Sequence, residues 1–323
     1  MIIELAFALI LGILAGTFTG LAPGIHINLI ASLLLLSQSS PSPDLVLPFV
    51  IFIIAMSITH TFIDFIPSIF LGAPEEDTFL SLLPGHELFL EGRAQEAVVL
   101  TLYGALAAIP IVLITIPLYL LFLPSIYASF KFLLPFLLIF FSGYLILREK
   151  KILFSAIVFF LSGFLGYATF NLPLKEPLLP LLTGLFGISS LLSSLKEKNT
   201  SPHQEVLPLK KITLTKREKI RGFTAALLSA PFCSFLPGIG SSHAATFGSE
   251  LIPQTRRSFL FLTGCISTTV MMLSFITLIA INKSRSGTAS AVHQFLPNLL
   301  NHLPAISITF ILSALAAFGI GLL

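Results

Sequence analysis

The chain has 323 residues, of which 55% are hydrophobic and 10% charged, and its mean hydropathy is +0.98. This composition excludes a soluble globular protein and predicts an all-α, polytopic bundle of membrane helices, because each span requires about 20 apolar residues. The net charge of +3 does not indicate nucleic-acid binding, since the basic residues are concentrated in a few loops. Cys233 and Cys265 lie in apolar segments and predict neither a disulfide nor a metal site.

Apolar runs between polar breaks predict nine membrane segments. In chain order they are residues 2–36 (interrupted at Pro23-Gly24), 46–71, 97–123, 132–147, 152–171, 178–195, 222–252 (interrupted at Pro237-Gly238), 258–281 and 304–323. The first run contains Glu4 and is not followed by a small-residue cleavage site, so we expect it to be retained rather than removed as a signal peptide.

The longest polar segment, residues 196–221, carries eight Lys or Arg against three Glu and is therefore predicted to be a cytoplasmic linker. It separates an N-terminal membrane half, residues 1–195, from a C-terminal half, residues 222–323. Arg256 and Arg257 are also cytoplasmic only if the segment before them is a re-entrant hairpin. The segment 2–36 is predicted to be a second hairpin, entering from the other face, because one helix of that length would measure about 50 Å.

Each predicted hairpin contains the same short motif. GTFTGLAPGIHINLIA, residues 16–31, aligns without gaps with SAPFCSFLPGIGSSHA, residues 229–244, on Pro-Gly-Ile. In both halves a long span follows and ends in a charged segment that contains glycine. Together with the opposite entry faces, this layout predicts two inverted-topology repeats, each containing a re-entrant hairpin broken at Pro-Gly.

A Pro-Gly break at membrane depth frees backbone groups that lipid cannot satisfy, so it is expected to face a polar cavity or other protein. The half-helices that begin at the breaks would direct their N-terminal dipoles toward the membrane centre, which suits an anion. Two opposed breaks near the midplane are typical of the binding site of a secondary transporter.

Four stretches resemble the tripartite tricarboxylate transporter permease (TctA) family, particularly its shorter archaeal-type members. They are GTFTGLAPGIHIN at 16–28, THTFIDFIPSIFLGAPEEDTFLSLLPGHELFLEGRAQEAV at 59–98, SFLPGIGSSHAATFGSEL at 234–251 and NKSRSGTASAV at 282–292. The resemblance implies an ion-coupled carboxylate permease that works with a small membrane subunit and an extracytoplasmic binding protein. It also implies a multi-pass protein of the cell membrane with no cofactor beyond the coupling ion, Na⁺ or H⁺.

The residues at and after the two breaks form the predicted substrate site: Pro23, Gly24, His26, Asn28, Pro237, Gly238, Gly240, Ser241 and Ser242. An imidazole at position 26 suits a carboxylate or a transferred proton, although a structural histidine is an alternative. Asn28 and the two serines offer polar atoms to a carboxylate or Na⁺, but membrane serines also bond nearby carbonyls in their own helix.

His60 and Asp64 lie one helical turn apart within a span and are predicted to couple ion movement to transport. The alternative is that both are solvated near the cytoplasmic end. His243, in the second hairpin, is a weaker candidate of the same kind. Lys283 and Arg285 are predicted to lie outside, where they either guide anions to the site or snorkel at the end of a span.

The acidic cluster contains no metal-binding motif and is predicted to be a solvated cytoplasmic face. Its members are Glu75, Glu76, Asp77, His86, Glu87 and Glu91.

Two other functions compete with the transport of an organic anion. The hairpins would serve a lipid phosphate equally well, as in a polyprenyl-phosphate translocase. An intramembrane enzyme that uses His26, His60 and Asp64 is less favoured, because no nucleophile motif accompanies them. No P-loop is present, so the chain carries no ATPase motor of its own. The sequence leaves open whether the protein forms a homodimer.

Overall fold

The structure, a computed structural model, describes residues 2–25, 27–37, 42–72, 79–173, 177, 180–181, 183–189, 192, 202–236 and 239–323. Within these residues the regular secondary structure is helical and includes no strand. The predictions made for His26, Pro237, Gly238 and the acidic run 75–77 lie outside this part of the chain.

The first eight helices precede the basic linker. They are α1 (Ile2–Leu21), α2 (Ile27–Ser37), α3 (Pro43–Ile63), α4 (Phe65–Leu71), α5 (Phe79–Leu90), α6 (Ala94–Phe130), α7 (Leu134–Arg148) and α8 (Ile152–Phe170). Five further α-helices are described, the first of which begins within the predicted linker: α9 (Lys216–Ser234), α10 (Ser241–Leu251), α11 (Arg256–Ile281), α12 (Gly287–Phe295) and α13 (Leu303–Gly321).

Among the described residues, six helical stretches are long and apolar enough to cross a membrane, so the prediction of a multi-pass helical protein is confirmed. They are Ile2–Leu21, Pro43–Leu71, Ala94–Arg148, Ile152–Phe170, Arg256–Ile281 and Leu299–Gly321. The predicted span at 178–195 lies mostly outside the described residues. α6 begins at Ala94 and continues through Pro124 to Phe130, beyond the predicted end at residue 123.

The centre of the bundle is formed by α3–α4 and α11. In the most apolar stretch of each, 78% of the residues are buried, whereas in α8 only 6% are buried. The outer helices thus present their apolar side chains to lipid, and the two central helices are enclosed by protein. Buried hydroxyls in the centre bond carbonyls one turn back, as Ser57 does to Ile53 O (2.7 Å) and Ser274 to Met271 O (2.7 Å).

α1 lies against α3 through three glycines spaced four residues apart. A β-carbon built on Gly12 would approach the Cβ of Ala55 to 2.8 Å, one on Gly16 the Cβ of Thr59 to 2.7 Å, and one on Gly20 the Cβ of Ile63 to 2.8 Å. The absence of side chains on this face therefore allows the two helices to touch. Because each step of four residues on α1 matches a step of four on α3, the two helices run parallel.

α6 crosses α11 at a second close contact. A β-carbon on Gly104 would overlap the carbonyl oxygen of Phe261, and one on Gly264 would overlap that of Thr101. Only glycine fits at both positions, so the two backbones meet directly at this crossing.

The long predicted span at 46–71 is interrupted at Asp64, where α3 ends and α4 begins. Pro67 explains the interruption, because a proline lacks the N–H that would bond the carbonyl four residues earlier and its ring crowds that carbonyl.

The described part of the basic linker that precedes α9, residues 202–215, packs against the α5–α6 junction and the start of α6. The Glu205 N–H donates to Gly92 O (2.8 Å), the Leu207 N–H donates to Gln95 Oε1 (2.7 Å), and Ile212 and Leu214 are buried. α9 begins at Lys216, inside the segment predicted to be linker. The division into residues 1–195, 196–221 and 222–323 stays a prediction.

Candidate functional site

A polar cavity of about 250 Å³ lies where the two broken segments approach α11. Its lining comes from six parts of the chain: the start of α2, the end of α9, the start of α10, the middle of α11 and the segments before α10 and α12. The residues are Asn28, Ser234, Leu236, Ile239, Gly240, Ser242, His243, Ser267, Val270, Met271, Ser274, Arg285 and Ser286. The cavity thus contains residues from both predicted hairpins.

The first break is a turn between α1 and α2. Ile25 N–H donates to Ala22 O (3.1 Å), which closes the turn around Pro23 and Gly24. Gly24 has φ of +84°, in the left-handed region that residues with a side chain rarely adopt. Pro23 and Gly24 therefore shape the turn, and neither is among the residues that line the cavity.

Asn28, in the first turn of α2, connects this break to the C-terminal part of the chain. Its Oδ1 accepts a hydrogen bond from the Thr288 N–H at the start of α12 (3.0 Å). Gly287 allows the approach, because a β-carbon there would come within 2.8 Å of Asn28 Cγ. Asn28 thus lines the cavity and also fixes α2 against α12.

The second break leads into α10. Gly240 is extended, with φ of −94°, and its N–H donates to His243 Nδ1 (3.4 Å). Gly240, Ser242 and His243 line the cavity, whereas Ser241 is buried and does not. The first turn of α10 therefore meets the cavity, where the positive end of the helix dipole favours an anion.

Arg285 supplies the cavity with a cation. Its guanidinium lies over the ring of Tyr127, with 5.8 Å between Cζ and the ring centroid. Nε and Nη2 are both buried, and neither has a hydrogen-bond partner among the described residues. Arg285 precedes α12 and lines the cavity, whereas the prediction that it lies on the outer face of the membrane stays a prediction. The sequence singled out Arg285 because it is a basic residue at a span end that is predicted to lie outside, where basic residues are less frequent than on the cytoplasmic side.

His60 and Asp64 are separate from the cavity and are both buried, with exposed fractions of 4% and 1%. The alternative that both residues are solvated near the end of the span is therefore wrong. His60 Nδ1 lies 3.1 Å from Thr19 Oγ1 in the last turn of α1, and Gly20 lies against the backbone of Asp64. The pair thus contacts the helix that leads into the first break.

The sequence profile of the family described as "Tripartite tricarboxylate transporter TctA family" matches residues 6–323. The chain belongs to this family. An uncharacterized protein of Methanocaldococcus jannaschii is 35% identical over 310 residues, which cover 90% of this chain and 73% of the relative. No solved structure matches the chain significantly.

Membership confirms the resemblance inferred from the four motifs and makes the chain a transporter permease. TctA permeases belong to multi-component systems, as the word "tripartite" in the family description states. Substrate, coupling ion and partners are matters for proposal.

In this TctA protein the acidic residues at the α5–α6 junction form ion pairs with the start of α11. Arg256 contacts Glu91 (2.6 Å) and Glu87 (3.6 Å), while the buried Glu96 contacts Arg93 (2.6 Å) and Arg257 (2.7 Å). The hydrogen bond from Arg256 holds the pKa of the Glu91 carboxyl below its usual value of 4.5. Glu87 and Glu91 are exposed, as predicted for a solvated face, and the described residues contain no cluster of three metal ligands.

Proposed function

We propose that this TctA permease is a secondary active transporter that carries an organic anion, a di- or tricarboxylate, across the plasma membrane in symport with Na⁺ or H⁺. The observation that carries the proposal is the charge of the cavity. Arg285 brings two buried guanidinium nitrogens that have no hydrogen-bond partner among the described residues, and the described lining residues include no Asp or Glu. Such a site favours an anion and disfavours a free cation.

The direction of α1 supports a re-entrant first hairpin. Because α1 runs parallel to α3, both begin at the same level, and the chain between them must return to that level. The return is made by α2, which has 11 residues and follows the turn at Pro23-Gly24. A segment that enters and leaves on one face has this arrangement.

The contacts of α9–α10 support the second hairpin. A β-carbon on Gly248, late in α10, would approach Ser229 Oγ and Ala225 O in α9, and the Gln254 side chain then reaches Arg221 O near the start of α9 (3.4 Å). Thr255, which caps α11, donates to Glu218 in the first turn of α9 (2.9 Å). α10 therefore runs back beside α9, and α11 starts where α9 started.

The central helices run in opposite directions, as inverted repeats require. Thr61 contacts Thr268 at mid-length (3.1 Å). At one end, a β-carbon on Gly85 would meet both Ile69 of α4 and Leu260 of α11. The end of the first span is therefore level with the start of the second.

Helix packing between the halves is reciprocal. α3 of the first half packs against α13, and its counterpart α11 packs against α6, the counterpart of α13. In the same way α2 packs against α12, and its counterpart α10 packs against α5, the counterpart of α12. Both central spans end in a left-handed residue, Gly72 (φ 61°) and Asn282 (φ 54°). These matches support a repeat of five elements, in which the two hairpins present their tips to one cavity.

His60 and Asp64 are the proposed coupling residues. Burying an ionisable pair within a span costs free energy, so such pairs usually have a function or a partner. This pair lies beside the last turn of α1. A change in the charge of His60 or Asp64 would therefore alter the contact with α1 next to the turn that positions Asn28.

The proposed assembly is the one implied by the resemblance: a small membrane subunit and an extracytoplasmic binding protein accompany the permease, in agreement with the word "tripartite" in the family description. α8 is the most exposed of the described spans, with 6% of the residues in its most apolar stretch buried. Its surface is therefore free to contact lipid or such a subunit. No cofactor is proposed besides the coupling ion.

Uptake by proteoliposomes tests the function. Labelled di- and tricarboxylates are offered under imposed Na⁺ or H⁺ gradients to the protein, to Arg285→Gln and to Lys283→Gln, whose side chain is exposed and outside the cavity. We expect gradient-driven accumulation that is lost in Arg285→Gln and retained in Lys283→Gln. If uptake is lost equally or retained equally in the two variants, the cavity around Arg285 is not the substrate site.

The cavity also leaves a second candidate, because an Arg and a helix N-terminus bind phosphate as well as carboxylate. A polyprenyl-phosphate translocase would move labelled lipid phosphate between leaflets in the same vesicles. Lipid movement that depends on Arg285, with no carboxylate uptake, would favour this function over the first.

A further inference from the structure

The cavity has the properties needed to select its ligand by charge. Arg285 is the single Lys or Arg among its described lining residues, and His243 is the other side chain able to carry a positive charge. At about 250 Å³ the cavity is below the range of about 300–1,000 Å³ typical of ligand pockets. The site is thus small and has one permanent positive charge.

The two guanidinium nitrogens that lack partners in the described structure, Nε and Nη2, form one edge of the group. Their N–H bonds point the same way, which is the arrangement that binds both oxygens of a carboxylate. Tyr127 lies against the same guanidinium, with 5.8 Å between Cζ and the ring centroid. Arg285 is therefore arranged to hold one carboxylate through two parallel hydrogen bonds.

A second carboxylate has weaker but sufficient partners. The first turn of α10 begins in the cavity, and the positive end of a helix carries about half an elementary charge. Ser267 Oγ is buried and has no hydrogen-bond partner among the described residues, so it is able to donate to an anion. His243 Nδ1 accepts the Gly240 N–H, so this nitrogen carries no proton and the imidazole is neutral in this arrangement. Among the described lining residues a third carboxylate would therefore have no cation left, and a buried charge without a counter-charge is strongly disfavoured.

Resting on the transport function proposed above, we propose that this site takes a small carboxylate with no more than two negative charges, and that Arg285 selects it and rejects tricarboxylates. The transported acid then differs from the one in the family's description.

The test is binding to the purified full-length protein in detergent, read as the ligand-induced rise in unfolding temperature at neutral pH. Three acids separate charge from size: glutarate, tricarballylate, which is glutarate with a carboxylate on its central carbon, and 3-carbamoylglutarate, in which an amide replaces that carboxylate. We expect glutarate and 3-carbamoylglutarate to stabilise the protein and tricarballylate to bind at least tenfold more weakly. Tricarballylate binding as tight as glutarate overturns the inference, and so does equal rejection of tricarballylate and 3-carbamoylglutarate, since size would then be the cause.

Arg285→Lys tests the two-bond geometry, because lysine keeps the charge and lacks the planar edge. Glutarate should bind at least tenfold more weakly to Arg285→Lys and normally to Lys283→Arg. Unchanged binding by Arg285→Lys removes the assigned role. Failure of all three acids to bind also overturns the inference, while the uptake experiment, which measures transport of a wider panel, decides the transport function separately.

Discussion

His60 Nδ1 lies 3.1 Å from Thr19 Oγ1, and the Thr19 hydroxyl also donates to the carbonyl oxygen of Gly16 (3.2 Å). One threonine thereby joins a buried histidine of α3 to the last turn of α1.

Thr19→Val keeps the shape of the side chain and removes the hydroxyl that His60 Nδ1 contacts. Because a buried polar atom then loses this hydrogen bond, we expect the free energy of unfolding to fall by about 1–3 kcal/mol and gradient-driven uptake to fall with it. Thermal unfolding in detergent and uptake by proteoliposomes measure the two effects. Thr17→Val is the matched control, since that hydroxyl bonds Ile13 O within its own helix (2.8 Å). If the two variants behave alike, the contact between α1 and α3 has no special role.

Gly104→Ala should be strongly destabilising although it adds a single methyl group. The new β-carbon would overlap the carbonyl oxygen of Phe261, so α6 and α11 must separate, at a cost of about 1–3 kcal/mol or more. Gly163→Ala, in the exposed α8, meets nothing within 4 Å and should leave the unfolding temperature unchanged or higher. An equal effect of the two substitutions would argue against the close crossing.

Gly24→Leu should abolish uptake and leave insertion into the membrane intact. A side chain at φ of +84° strains the turn between α1 and α2, and a left-handed residue with a β-carbon costs about 1–2 kcal/mol. Gly143→Leu serves as control, because a β-carbon at Gly143 in α7 meets nothing within 4 Å. Normal uptake by Gly24→Leu would show that the turn geometry is not needed for transport.

Glu91→Gln should lower stability in a manner that depends on pH. The folded-state pKa of Glu91 lies below 4.5, so its contribution is present at neutral pH and is lost as the pH falls through that lower value. The unfolding temperatures of the protein and of Glu91→Gln should therefore differ slightly at neutral pH and converge in acid. The pair with Arg256 is exposed, so the difference should also shrink in high salt. A difference that persists at low pH would point to a role other than charge.

Much of the bundle follows from apolar length alone. The predicted spans at 152–171 and 258–281 differ from α8 and α11 by one or two residues at their ends. By contrast, α12 has nine residues, too few to give a span signal, and its existence depends on a cap by Ser286 and contacts with α2 and α3. Length therefore predicts the helices that lipid requires and omits those that protein contacts stabilise.

The cavity could be predicted only in part, for the same reason. The Pro-Gly motifs indicate Asn28, Gly240 and Ser242, which the structure brings to one cavity. Arg285 joins them through tertiary packing on Tyr127, which is 158 positions earlier in the numbering. The burial of His60 and Asp64 also depends on packing, although the glycines at every fourth position of α1 were a usable signal for a close neighbour on that face.

The hydrogen bond between Asn28 and Thr288 joins residues 260 positions apart. During synthesis, α1 and α2 reach the membrane long before α12 has been translated. Asn28 therefore has water, lipid headgroups or the insertion machinery around it until residue 288 has been translated. A nascent chain released before residue 288 would contain both Pro-Gly segments but not the residue that holds Asn28 in place, so the cavity becomes complete only after α12 has been translated.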